Sequence, residues 1–291
     1  MKKVCHVISG YYREDTRVFH RQCKTLSDHG FEVSILTNDG KEDEIIDNIK
    51  IYSTKSWSSR LMILLFAKFQ FIKKINSINA DIYQLHSPEL LPLINPIKKS
   101  GKKVIYDAHE DMPNHILEKE WIPFFLRPII SNIFKIYQKI KFKQLDHLIS
   151  PHHHIIENSL ISNSTIIPNF PLIREKIENN ELKNYKSRKN IICYVGTVYS
   201  FSNQEEIFEA LNSFNEIEYH IAGYIDESSF NNFKKFKSFH KLTYYGRVSQ
   251  KALKLLFRKC TIGIVVLDYR LNLGYDKGSF GPNKIFEYME A

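Results

Sequence analysis

The chain has 291 residues, 43% of them hydrophobic and 25% charged. That composition is globular, long enough for two domains or one large one, and it excludes a disordered tail, a collagen-like fibre and a small disulfide scaffold. The 41 basic against 32 acidic residues give +9, which favours an anionic partner such as a nucleotide, nucleic acid or a lipid surface without choosing among them.

In chain order, Val4–Ser9 reads as a strand. Val18–His29 reads as a helix with Phe19, Cys23 and Leu26 on one face, closed by Gly30, and Phe31–Thr37 is the next strand. The apolar run Leu61–Ala67 stops at Lys68, far short of the ~18 apolar residues of a membrane span. Asp81–Leu85, Lys103–Tyr106, His147–Ile149 and Thr165–Ile167 read as further strands, separated by helical patterns at Leu61–Ile78 and Pro128–Gln144. This alternation predicts a mainly parallel sheet covered on both faces. Residues 1–173 form the first expected domain, and the charged stretch at 174–189 the linker. From 190 to 291 a second series follows. Asn190–Val195, Glu218–Ala222, Lys241–Tyr245 and Thr261–Leu267 are its strands, and Gln204–Ser213 and Ser249–Arg258 its helices. Two doubly wound domains would bind ligands outside the carboxyl ends of their strands, in a cleft between them. The second series is short of strands, and the helical pattern at Ile285, Phe286 and Met289 ends uncapped at Ala291. The chain therefore reads as a C-terminally truncated fragment.

Four cysteines (Cys5, Cys23, Cys193, Cys260) lie far apart with no CxxC pair. This fits a reducing, cytoplasmic setting and argues against a zinc site. Asp107, Glu110 and Asp111 could pass for a metal cluster, but a carboxylate-rich loop more often supplies caps and turns. His152-His153-His154 are consecutive and point to different faces, so they chelate together poorly.

The segment Gly278 to Met289 carries the chemistry. Pro282 fits the first helical position, and Ser279 and Gly281 leave the backbone before it open. A helix start suits phosphate. Lys284 places a full positive charge in the first turn, the unfavourable sign there, which an anionic ligand would explain. Glu287 shares its face and could accept hydrogen bonds from two sugar hydroxyls. A capped helix with a solvated Lys–Glu pair is the plain alternative.

Gly281-Pro282-Asn283-Lys284-Ile285-Phe286-Glu287-Tyr288-Met289-Glu290-Ala291 resembles the nucleotide-sugar site of family-4 glycosyltransferases of the GT-B fold. Other stretches match in order: Asp15-Thr16-Arg17-Val18-Phe19, His86-Ser87-Pro88-Glu89, Tyr106-Asp107-Ala108-His109-Glu110, Ile167-Pro168-Asn169 and Tyr194-Val195-Gly196. The resemblance spans the whole chain. It implies retaining transfer of a sugar from a nucleotide-sugar, with no metal and no other cofactor. Glu287 matches the family glutamate that holds the ribose. Ser279 stands where the family often has a second glutamate. Thr197 and Asn203 stand near the places of its usual arginine and lysine, so the diphosphate would lean on the helix start, Lys284 and Arg247. Gly10-Tyr11-Tyr12-Arg13 replaces the usual Gly-Gly loop.

The donor-side candidates are therefore Gly196, Arg247, Ser279, Asn283, Lys284 and Glu287. His109, at a strand end, is the catalytic candidate, against a structural histidine paired with Glu110 or Asp111. Arg17, His86 and Asn169 are acceptor or phosphate candidates, with a surface salt bridge and a hinge contact as the plain readings of Arg17 and Asn169. Arg60–Lys74 and Arg127–Lys143 combine apolar and basic residues. Each alone is more often a core helix with a solvated basic face, but together they fit a peripheral protein on an anionic membrane. The expected function is sugar transfer, with a UDP-sugar as donor, to a glycan or lipid-linked acceptor in surface polysaccharide synthesis. A sugar-nucleotide epimerase of the same fold is the alternative enzyme. A basic nucleic-acid-binding protein shows no recognised module and dispersed charge, so no nucleic-acid partner is expected. A noncatalytic fragment is the third class.

Overall fold

The first sheet is built from β1 (Lys3–Val7), β2 (Glu32–Thr37), β3 (Glu44–Ile46), β4 (Ile49–Ser53), β5 (Ile82–Leu85), β6 (Lys103–Asp107), β7 (His147–Ser150) and β8 (Ser164–Ile166). The computed structural model describes residues 1–56, 68–170, 188–274 and 283–291. The strand order is β3-β4-β2-β1-β5-β6-β7-β8, parallel throughout except where β3 meets β4. The chain leaves β1 toward β2 and later returns to its other side as β5. The topological switch point thus lies at the carboxyl ends of β1 and β5, the place where such sheets open a crevice.

Four of the five residues of β1 and five of the six of β2 are buried, as expected of strands covered on both faces. On one face α1, wound as a π-helix over Thr16–Cys23 and continued as an α-helix over Lys24–Asp28, supplies Val18, Phe19 and Cys23 to a core with Val33, Ile35 and Ile51. The other face carries α2 (Lys68–Ile78), through Phe71 and Ile75, and α3 (Ile94–Lys99), through Ile94 and Ile97. The expected helix Leu61–Ile78 is seen from Lys68, its earlier part lying outside the described residues.

The β3–β4 hairpin is absent from the sequence-based expectation. Asp47 and Asn48 both take positive φ, 48° and 63°, the requirement of a tight hairpin turn, which asparagine and aspartate meet at low cost. Beyond β6 come α4 (Met112–Leu117), α5 (Arg127–Phe142) and α6 (His153–Ser159).

The second sheet has β9 (Ile191–Val195), β10 (Glu218–Ala222), β11 (Leu242–Tyr244) and β12 (Ile262–Gly263), in the order β11-β10-β9-β12, all parallel. Helix α7 (Gln204–Leu211) covers one face with Ile207 and Phe208 on Tyr194 and Tyr219. α9 (Gln250–Lys259) covers the other with Leu256 and Phe257 on Cys193 and Val195. A short helix, α8 (Glu227–Phe233), capped by Asp226, lies between β10 and β11. The strand expected over Thr261–Leu267 pairs for two residues only. Ile264 makes its last ladder bond, to Cys193 O, and Asp268 then bonds to Phe201 O. The last helix, α10 (Asn283–Glu290), is pinned to this sheet by Tyr288. The Tyr288 hydroxyl accepts from Val195 N at 3.0 Å, and its ring fills the space beside Gly263.

Two compact units result. One holds Met1–Asn169 and a segment from Arg270, where Asn272 N donates to Glu118. The other holds the chain to Tyr269 and α10. The expected linker lies almost wholly outside the described residues, at 171–187. Among the described residues no helix is long and apolar enough to cross a membrane.

Candidate functional site

In the first unit a buried polar cluster sits at the switch point. Asp107, the last residue of β6, is fully buried. Arg17 grips it with two parallel hydrogen bonds, Nε to Oδ2 at 3.0 Å and Nη2 to Oδ1 at 2.8 Å. The remaining guanidinium nitrogen donates to Ile167 O at 3.0 Å and Asn169 Oδ1 at 2.6 Å. Gln22 adds a 2.6 Å bond to Asp107, and Gln84 in turn donates to Gln22. Asp15 caps the helix that presents Arg17, accepting from the Arg17 and Val18 amides. Arg17 is therefore a buried strut between α1, β6 and the end of β8, and not a surface ion pair. Asn169 is one of its acceptors.

Two histidines join the same carboxylate, and a third stacks behind one of them. His109 Nε2 lies 3.2 Å from Asp107 Oδ2, and His86 Nδ1 3.5 Å from it. His6 Nδ1 is 2.9 Å from His86 Nε2, the two rings stacked at 5.2 Å. The Tyr11 hydroxyl reaches His109 Nδ1 at 3.3 Å. Burial opposes the charged form of Asp107. The charge of His109, hydrogen bonds from His109 and His86, and the charge of Arg17 outweigh it and hold the carboxyl well below its usual range. Burial lowers His86, against the pull of Asp107. It lowers His6 further, with the charge of His86 acting in the same direction. Both imidazoles are therefore neutral at pH 7. With His86 Nδ1–H turned toward Asp107, its Nε2 accepts from His6 Nδ1–H, and His6 Nε2 is left a buried acceptor. That matches the absence of any partner for this atom among the described residues. The proton positions follow from the partners.

A pH dependence of stability follows. Unfolded histidines titrate near ~6.5, so below that pH the unfolded chain takes up protons that folded His6 and His86 refuse. Stability is full above pH ~6.5 and falls below it, by at most roughly 1.4 kcal/mol per pH unit for each such histidine. Urea midpoints from pH 7.5 down to 5.5, as in ~pH-stepped titrations, check this. A flat profile would contradict two buried neutral imidazoles.

Ligand atoms of His86, Asp107 and His109 come within 4.8 Å of one another, close enough to hold a cation. The donor set argues for hydrogen bonding instead. Both oxygens of Asp107 already accept from a guanidinium, and a divalent ion would be forced beside it. Of the other carboxylates, Glu110 bonds His115, and Asp111 caps α4 through Asn114. His109 thus pairs with neither Glu110 nor Asp111. The run His152–His154 forms no metal-binding group among the described residues.

The second unit presents a different surface at its strand ends. Gly196 follows β9 with φ +125°, and Gly223 follows β10 with φ +144°. A Cβ on Gly223 would lie 1.9 Å from Gly196 O, so only glycine allows this backbone contact. Over it, Lys284 Nζ stands 3.9 Å from the centroid of the Tyr194 ring. Burial lowers the Lys284 ammonium to about 8, opposed by the charge of Glu287 one turn on. It is still mostly protonated at pH 7, a cation held by a ring face. Arg247 lies 5.3 Å over the ring of Tyr224, beyond β10. Lys284 thus stands beside Gly196, Glu287 follows it one turn on along α10, and Arg247 follows β11 against Tyr224. Ser279 and the side chain of Asn283 lie outside the described residues. His109, His86, Arg17 and Asn169 form the separate cluster of the first unit. Sequence reasoning missed His6, Tyr11, Gln22 and the role of Asp107. A strand-end position was the one signal that Asp107 offered.

No protein-family model matches the chain, and no curated protein does. Solved structures do. Sucrose-phosphate synthase from Thermosynechococcus elongatus superposes with a TM-score of 0.70 at 11% identity, over 97% of this chain and 77% of that one. A glycosyltransferase from Rickettsia africae gives 0.62 at 17%, over 91% and 72%. A chain described as a UDP-N-acetylglucosamine 2-epimerase, from Listeria monocytogenes, gives 0.59 at 11%, over 90% and 73%. These likenesses show the fold, two Rossmann-like α/β units of the GT-B type.

Proposed function

We propose that this chain is a glycosyltransferase that takes a sugar from a nucleotide-sugar, UDP-linked, and gives it to a glycan or lipid-linked acceptor with retention, in surface polysaccharide synthesis at the cytoplasmic face of the membrane. The observation that carries the reading is Lys284, a cation seated on Tyr194 beside the Gly196–Gly223 contact at the strand ends. A phosphate there would meet a charge already in place and partly desolvated, where hydrogen bonds to ions are strong. Arg247 would add a second cation and Glu287 would hold the ribose.

In the reaction the bond from the anomeric carbon to the diphosphate oxygen breaks, and the acceptor oxygen bonds on the same face. The acceptor proton passes to the leaving phosphate oxygen. The protein's part is to position both substrates and stabilise charge on the diphosphate. His109 is fixed on one nitrogen by Asp107, and a sugar hydroxyl would reach it by replacing Tyr11 at Nδ1.

Thermal shifts with UDP-, GDP- and ADP-sugars test the donor, since ligand binding raises apparent stability. Proton NMR of the product then tests retention. We expect a selective UDP-sugar response and an unchanged rate in EDTA. The epimerase reading is favoured by the Listeria likeness. Release of an epimerised nucleotide-sugar with no acceptor present would establish it and overturn sugar transfer.

A further inference from the structure

We propose that the first unit docks on an anionic bilayer through α5 and the aromatic segment before it. Ile129, Ile133, Ile136 and Ile140 recur along one stripe of α5, and each is more than half exposed. Trp121, Phe124 and Phe125, just before the helix, are 71%, 78% and 62% exposed. The helix is not loosely held. Ser131 bonds Pro113 O at 2.7 Å, Phe142 is buried against Tyr106, and Phe134 and Tyr137 pack on the core. One face anchors α5 while the isoleucine row faces outward. A row of exposed large apolar side chains of this length marks an interaction site.

Charge selects the occupant. From Trp121 to Leu145 there is no aspartate or glutamate, while Arg127, Lys135, Lys139, Lys141 and Lys143 are basic. Lys135, Lys139 and Lys143 are exposed and spaced one turn apart. A second copy of the chain would set these cations against their own kind. Anionic headgroups would pair with them while the isoleucines and aromatic rings enter the headgroup–acyl boundary, as an interfacial helix does. Of the two basic stretches, Arg60–Lys74 lies largely outside the described residues, so the docking surface is α5 with Trp121–Leu126. The surface stands on its own. Its use in meeting a lipid-linked acceptor rests on the sugar-transfer reading.

Flotation with phosphatidylcholine vesicles, with and without phosphatidylglycerol, tests it. We expect strong recovery only with phosphatidylglycerol, and a blue shift of tryptophan emission that Trp121→Phe removes. Ile133→Ser with Ile136→Ser should weaken binding on the order of tenfold or more. Lys135→Gln, Lys139→Gln and Lys143→Gln should cost about fivefold each. All five side chains are exposed, so folding should persist, and the thermal shift with UDP should not move. Equal recovery on both vesicles, or no recovery, would overturn the proposal. So would a dimer that the isoleucine variants dissociate, which would assign the face to a second copy. The UDP response reports the donor site separately, so the two readings fail independently.

Discussion

Replacing Arg17 by alanine is expected to destabilise the protein by about 3–5 kcal/mol, the cost of leaving a buried carboxylate without its partner. Arg17 makes four hydrogen bonds, two of them to fully buried Asp107. Its removal also strips Ile167 O and Asn169 Oδ1 of a donor. Asp107→Ala should cost a similar amount, since it leaves the guanidinium buried and unpaired. The double variant Arg17→Met with Asp107→Leu should recover part of the loss, because replacing a buried pair by apolar groups is often close to neutral. Urea unfolding of the four proteins gives the cycle. Independent, additive losses would mean that the two side chains do not act as a pair. Because the folded Asp107 carboxyl lies below its unfolded value, its contribution is full above pH ~4 and is lost as the pH falls further.

Lys284→Ala should weaken UDP binding by about 1.5–3 kcal/mol while leaving uridine nearly unchanged, because it removes a charge-assisted phosphate contact. Glu287→Ala should weaken both ligands, since the ribose is common to them. Lys284 at about 8 adds a pH signature. Diphosphate binding should decline as the pH rises through that value, and the decline should vanish in Lys284→Ala. Calorimetric titration of UDP and uridine at several pH values decides. Unchanged affinity in both variants would leave a capped helix with a lysine on a tyrosine ring as the better account.

Much of the fold could be read from apolar runs. β1, β2, β5, β6 and β7 are short buried strands in a chain that alternates with helices, and the glycines after β9 and β10 mark their ends. The β3–β4 hairpin was hidden by its charges. Lys41 to Asp47 carries five charged residues among seven, and the Asp47-Asn48 turn is a conformational signal with no hydrophobic pattern. Of the candidates, His109 and His86 were legible as strand ends, and Arg17 and Asn169 through the motifs of the family resemblance. Their convergence on Asp107 was not, because periodicity carries no information about residues 90 positions apart. For α5 the mixture of apolar and basic residues was legible, but spacing alone does not say whether anything covers the isoleucine row, and only its exposure in the fold does.

Arg17 also constrains how the protein is made. It bonds Asp107 90 residues later and Asn169 152 residues later. At 5–20 residues per second, synthesis of that interval takes roughly 8–30 s. Until Asp107 is made the nascent β1–α1 crossover holds a cation with no acceptor, and until residue 169 is made its set of acceptors is incomplete. Phe19 and Val18, beside it, can collapse onto β2 early, since their partners Val33 and Ile35 follow closely. The polar strut cannot close until β8 has been added. The first unit should therefore accumulate on the ribosome as a collapsed but unlocked intermediate, and nascent chains arrested with residue 169 still in the exit tunnel should resist protease far less than chains arrested once it has emerged.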